Sequence, residues 1–110
     1  NVKPLDDPGA VSVSLFNASA VTGAALGTTW PKLQAAGYGQ GAIINEPNGT
    51  SDLAKSSVQY VKRADRPAAC AVAKELGFNR VIPLDGYTPD QVGGDSVNVL
   101  VVVGIDLANG

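Results

Sequence analysis

The sequence predicts an α+β domain, a two-layer α/β sandwich whose mixed sheet carries its helices on one face, in the order β-α-β-β-α-β-β. Three observations predict it. Five strand-like segments stand against two helical ones, enough helix to cover one side of a sheet. Residues 11–16 (VSVSLF) alternate, and Ser12 and Ser14 on one side of that strand predict an open second face. Residues 97–105 (VNVLVVVGI) have an unbroken apolar middle, which places this strand centrally. A split β-α-β order of the ferredoxin-like kind with an extra strand is expected, with a three-layer α/β/α stack as the alternative.

The first strand runs into a loop of small polar residues centred on Asn17, Ser19 and Thr22. A helix is predicted over residues 22–36, with Leu26, Trp30 and Leu33 on one stripe. Gly37 supplies its stop, since glycine accepts the positive φ of a C′ position. Pro31 lacks an N–H and clashes with the Gly27 carbonyl in a regular helix, so a kink or break is expected there. Residues 41–46 (GAIINE) read as the second strand, followed by a polar loop over 47–56 that opens with Pro47-Asn48-Gly49-Thr50. The third strand is residues 57–63 (SVQYVKR). The second helix starts near Pro67 with Asp65 as its cap, buries Ala69, Val72, Ala73 and Leu76, and ends at Gly77. Residues 80–84 (RVIPL) make a short fourth strand that Pro83 ends or confines to an edge. Residues 85–96 (DGYTPDQVGGDS) form a long loop before the closing strand.

At 110 residues there is room for one domain and one core. The core is thin and strand-rich, because the 45% apolar content comes mostly from Val and Ala. A formal charge of −2 argues against nucleic acid as the main partner, since such binders present a net basic face. The longest apolar run, residues 99–103, falls far short of the about 20 residues that cross a bilayer. Residues 1–10 (NVKPLDDPGA) read as the end of a linker, 11–107 as the domain and 108–110 as a tail. The lack of Met at any position, the first included, leads us to expect a processed product or a fragment. Cys70, the single cysteine, has no internal partner and reads as a small core residue.

Three segments resemble the LytR C-terminal domain family. VSVSLFNASAVTGAA (11–25) is similar to its Val-rich strand followed by Asn-Gly-Thr/Ser-Gly-Val-x-Gly-Leu-Ala. SVQYVKRADRPAACAVAKELGFNRVIPLDG (57–86) is similar to its strand, Ala-rich helix, Leu-Gly stop and Val-x-Pro-Val-Asp-Gly segment, and VNVLVVVGIDL (97–107) to its closing strand ending in Gly-x-Asp. Ala18 and Ala20 stand where the family often has Gly, so those positions need no positive φ here. The resemblance implies an extracytoplasmic accessory domain of the Gram-positive cell envelope, set after the catalytic domain of LytR-CpsA-Psr proteins. Those proteins transfer lipid-linked glycopolymers onto peptidoglycan, and their pyrophosphate-binding Arg and Asp residues, in the other domain, have no match here. Implied partners are cell-wall glycan or anionic glycopolymer, and the protein's own catalytic domain or another envelope protein. Membrane anchoring would come only through a segment outside this sequence. The family's label of transcriptional attenuator gains no support from an acidic chain without a helix-turn-helix pattern.

Catalysis is not expected of this domain, nor a metal or cofactor. The chain has no His, which excludes Ser-His-Asp and Cys-His nucleophilic catalysis and most zinc sites. Asp85, Asp90 and Asp95 share a loop, but their spacing does not fit the alternating ligands of a calcium loop. Nothing in the sequence brings Glu46 and Asp106 together. Asn17, Ser19 and Thr22 admit two readings: a cup for a sugar hydroxyl, acetamido group or anion at a helix N-terminus, or local capping of the first helical turn. Lys62, Arg63 and Arg66 form a basic cluster that would hold polymer phosphate or a lipid headgroup, or else form a solvated face diluted by Asp65. Trp30 reads as core, while Tyr38, Tyr60 and Tyr87 are left open.

Overall fold

A computed structural model of the protein describes residues 11–19, 27, 29–45, 53, 55–77, 80–84, 86–94 and 97–105. The elements are β1 (Ser12–Asn17), α1 (Trp30–Ala35), β2 (Gly39–Asn45), β3 (Ser57–Tyr60), a 3-10 turn (Arg63–Asp65), α2 (Arg66–Leu76), β4 (Val81–Pro83), α3 (Pro89–Val92) and β5 (Val99–Val103). The expected linker and tail, the helix turns predicted from residue 22, and the Asn48-Gly49-Thr50 turn lie outside the described residues.

The α+β class and the mixed sheet are as expected. The strand order is β2-β1-β5-β3-β4, with β1 parallel to both β2 and β5, β3 parallel to β4, and β3 antiparallel to β5. This differs from a split β-α-β arrangement. Each β-α-β unit keeps its two strands adjacent, and β5 enters between the units rather than inside one. All five residues of β5 (VLVVV) are buried. So apolar a strand is best placed where both edges are bonded and both faces covered. Pro83 lies in the edge strand β4, where a missing N–H leaves no ladder bond unmade.

One face of the sheet carries α1 and α2. Val13, Leu15, Val58 and the odd-numbered valines of β5 pack there under Trp30, Leu33, Ala69, Val72 and Leu76. The α-helix begins at Trp30, so Pro31 falls in its first turn, where no helical N–H is missed. Gly27 and Thr29, the described residues just before it, have π-helical backbone. Gly37 stops α1 at φ 93°. Its N–H donates to Gln34 O at 3.0 Å and the Tyr38 N–H to Leu33 O at 3.1 Å, the paired bonds of a Schellman motif.

The second face is closed, contrary to the expectation from Ser12 and Ser14. Val92 of α3, Val97 and Ala18 cover Phe16, Leu100 and Val102 in a second apolar cluster. The Tyr87 ring meets Phe16 edge-on, with centroids 5.0 Å apart. Ser14 is 0% exposed. Its hydroxyl donates to Val92 O at 2.5 Å and accepts from the Ala42 N–H at 3.0 Å. The register between β1 and β2 slips between Val13 and Leu15, and the serine bonds the N–H freed by that bulge. The polar side chain therefore marks an internal joint rather than a wetted surface. The segment around α3 forms a thin third layer, which brings the fold part of the way to the α/β/α alternative.

Candidate functional site

The two β-α-β units point in opposite directions, because β3 runs antiparallel to β5. Their carboxyl ends, where open α/β sheets form ligand crevices, therefore lie at opposite ends of the sheet. The five paired residues from Val13 to Asn17 separate them by about 13 Å of strand. This division keeps the two candidate clusters apart.

At the carboxyl end of β1 lie Asn17 and Ser19. Asn17 Oδ1 accepts from the Ser19 hydroxyl at 2.6 Å and from its N–H at 3.2 Å, and Ser19 is buried. Backbone segments are joined beside them. The Ala18 N–H donates to Val103 O, the Leu53 N–H to Ala18 O, and the Ile105 N–H to Leu53 O. Gly104 sits against these segments, where a Cβ would lie 2.8 Å from Leu53 O. Its N–H donates to the buried Ser56 hydroxyl at 2.7 Å. Thr22, the third member of the predicted cup, lies outside the described residues.

The carboxyl end of β3 and β4 is open. Tyr60, Val61, Arg63, Arg66, Pro83 and Leu84 line a groove of about 560 Å³. Its floor is set by the parallel pairing of the two strands, extended by the Leu84 N–H donating to Tyr60 O. Arg63 and Arg66 stand three residues apart across the junction of the 3-10 turn with α2, and both line the groove. Both arginines are exposed, and among the described residues neither forms an ion pair. Lys62 is exposed too, but it does not line the groove. Tyr60 is half-buried, with its ring packed against the helix-side core.

Asn98 holds this turn in place. Its N–H donates to Ser12 O and its backbone carbonyl accepts from the Val61 N–H. Its side-chain Oδ1 accepts from the Ser12 N–H at 2.9 Å, and Nδ2 donates to Asp65 Oδ1 at 3.1 Å. Asp65 occupies the N-cap position of α2 but makes no side-chain cap bond, because its carboxylate is turned to Asn98 instead. The other oxygen, Oδ2, is buried with no hydrogen-bond partner. Nothing in the composition of this region singles out Asn98. It emerges only once β1, β3 and the 3-10 turn are seen to meet at one residue.

Of the remaining candidates, two are core residues. Tyr38 belongs to the core, where burial, with Glu75 adding, pushes its phenol above the ordinary value. Trp30 is core as expected, and Cys70 is half-buried on α2 rather than fully enclosed. Asp90 is exposed, while Asp85, Asp95, Glu46 and Asp106 lie outside the described residues. Among the described residues no group of three His, Cys, Asp or Glu could hold a metal ion, and no helix is long and apolar enough to cross a membrane. Within the predicted loop, Thr88 and Gln91 form a reciprocal capping box that starts α3. The Thr88 N–H donates to Gln91 Oε1 at 2.9 Å and the Gln91 N–H to the Thr88 hydroxyl at 3.3 Å.

Comparison with known proteins gives a family and a fold. The family described as LytR cell envelope-related transcriptional attenuator matches residues 10–106. The crystal structure of the soluble domain (residues 71–217) of a conserved hypothetical secreted protein, the Rv2700 ortholog of Mycobacterium marinum, is similar over 97% of this chain, with a TM-score of 0.64 and 23% identity. The chain spans 66% of the length of that structure. The solution structure of the C-terminal domain of RV0431 is also similar, at 29% identity over 94% of this chain and 78% of that one, with a TM-score of 0.48. No curated protein matches.

Proposed function

The chain belongs to the LytR C-terminal domain family, and from that premise we propose that it is a non-catalytic, extracytoplasmic accessory domain that binds cell-wall glycan or its anionic glycopolymer. The binding would position a LytR-CpsA-Psr-type transfer enzyme, whose chemistry resides in another domain, against its wall acceptor. One observation carries the reading. At one of the two strand ends the described residues are tied to one another by backbone hydrogen bonds, and at the other they form a groove lined by two arginines and a tyrosine. Guanidiniums bond anionic oxygens in a bidentate fork, and a half-buried tyrosine offers a flat apolar face to a sugar ring.

Retention on purified cell-wall sacculi, at low and moderate salt beside an albumin control, tests the proposal. Retention above the control is expected, with a loss of about tenfold or more in the Arg63→Glu/Arg66→Glu double variant, since charge-assisted bonds contribute about 1.5–3 kcal/mol each. Retention no greater than that of albumin would count against it.

A second reading, docking on the catalytic domain or on another envelope protein, is favoured by β2. This edge strand (GQGAIIN) has no charge and no proline to blunt it, and Ile44 is 45% exposed. Co-purification with the separately expressed catalytic domain, abolished by Ile44→Lys, would support docking instead.

A further inference from the structure

We propose that Asp65 is a specificity-determining counter-charge for the arginine-lined groove, tuning it to an anion with one negative charge per recognised group, such as a phosphate diester. This inference rests on the wall-binding reading of the same groove. Asp65 lies in sequence between Arg63 and Arg66, at the junction that presents both guanidiniums. Its carboxylate does not line the groove. Asn98 holds one of its oxygens behind the turn, and the other is buried without a hydrogen-bond partner. A charge held away from water is screened less than an exposed one, so the groove senses it. The two arginines that line the groove and the Asp65 carboxylate leave a single net positive charge there, while Lys62, exposed and off the groove, adds a charge that solvent screens. That matches one diester phosphate and leaves the second charge of a monoester unmatched and costly to dehydrate.

Asn98 makes the arrangement specific. An aspartate at a helix N-cap ordinarily turns its carboxylate onto the first-turn N–H groups. Here the Asn98 amide draws it away, and Asn98 is itself fixed by both backbone bonds and the side-chain bond to Ser12. Asp65 is thereby a positioning and charge-setting residue, while Arg63 and Arg66 make the contact.

The test titrates the 110-residue chain with three probes, followed by the NMR shifts of the Arg63 and Arg66 amides and side-chain Nε groups. The probes are bis-glyceryl phosphate (a diester), glycerol 3-phosphate (a monoester) and inorganic phosphate. On the unaltered chain the diester is expected to bind at least as tightly as the monoester. Asp65→Asn keeps the acceptor for Asn98 and removes the charge. It should raise diester affinity about fivefold and monoester affinity about twenty-fivefold at moderate salt, because the doubly charged probe senses the change twice. Arg63→Gln, at an exposed position, should do the reverse and keeps the test available if Asp65→Asn does not fold. A monoester that binds the unaltered chain more tightly, or a diester-to-monoester ratio unmoved by both variants, would overturn the inference. Sacculus retention that survives loss of both arginines would overturn it too, while leaving wall binding at another site intact. Diester binding without sacculus retention, but with retention on phosphatidylglycerol vesicles, would keep the charge assignment and overturn the wall reading.

Discussion

Replacing Ser14 with alanine should cost far more stability than a serine in an alternating strand would lead one to expect. The hydroxyl is fully buried, donates to Val92 O and accepts from the Ala42 N–H. Alanine leaves the Val92 carbonyl without that partner in a buried place and the Ala42 N–H without it in a half-buried one. An orphaned buried polar group costs about 1–3 kcal/mol, so the pair should cost about 2–4 kcal/mol. That is a large share of the roughly 5–15 kcal/mol that holds a small domain together. It corresponds to a fall in Tm of about 10 °C or more for a domain of this size. Trp30 is the single tryptophan and is 6% exposed, so its fluorescence in urea follows unfolding without a label. Amide exchange should speed up most over residues 86–94, the segment that this hydroxyl pins to the sheet. Ser12→Ala, at a half-buried position, should stay within about 0.5 kcal/mol. If Ser14→Ala also lies within that margin, the second face is not held as described, and the case for a closed sheet fails with it.

Two other perturbations separate packing from titration. Gly104→Ala places a Cβ 2.8 Å from Leu53 O and 2.9 Å from the Lys55 carbonyl carbon, backbone that cannot swing aside, and should destabilise by about 1–3 kcal/mol in urea melts. Gly27→Ala, where a Cβ meets nothing within 4 Å, should be neutral or slightly stabilising in the same melts. The Tyr38 phenol is pushed above 10.0 by burial, so the fold favours its neutral form. Its contribution is complete below pH 10 and is lost as pH rises from there through the raised folded value. Tyr38→Phe should remove that part of the alkaline decline in the urea midpoint between pH 9 and 12, and an unchanged profile would show that the phenol is not held as described.

The sequence was most legible where one residue type has one physical use. Gly37 and Gly77 end their helices at positive φ because only glycine does so without strain. Pro83 marks an edge strand, and the run of valines in β5 marks the sheet centre. Legibility failed where a residue's role depends on partners distant in the chain. Ser14 reads as a surface serine from its neighbours, yet its partners are 28 and 78 residues away. Asn98 was silent for the same reason, since its contacts to Ser12, Val61 and Asp65 bring together three separate segments. Strand order was not encoded by any local pattern either, because adjacent and split β-α-β units bury the same alternating residues. The Thr88-x-x-Gln91 capping box was the exception. It was written in the sequence, with proline between, but was hidden inside a stretch dominated by Asp and Gly.

The two polar clusters visible in the sequence differ in how their bonding capacity is used, and the antiparallel setting of β3 against β5 explains the difference. At the carboxyl end of β1, Gly104 and Ile105 after β5 and the segments at residues 53 and 55–56 meet, and the small polar groups bond this backbone and one another. At the carboxyl end of β3 no such segment arrives among the described residues. The chain leaves through a 3-10 turn into α2, and the groups presented there are cations. Cations three residues apart cannot satisfy each other, and Asp65, the carboxylate of the turn, bonds Asn98 rather than either arginine. Asn98 lies at the entry to β5, so the strand whose far end bonds Ala18 also fixes the turn that carries the arginines. Core packing and groove geometry are therefore linked through one strand. A variant that shifts the start of β5 should disturb the arginines before it unfolds the sheet.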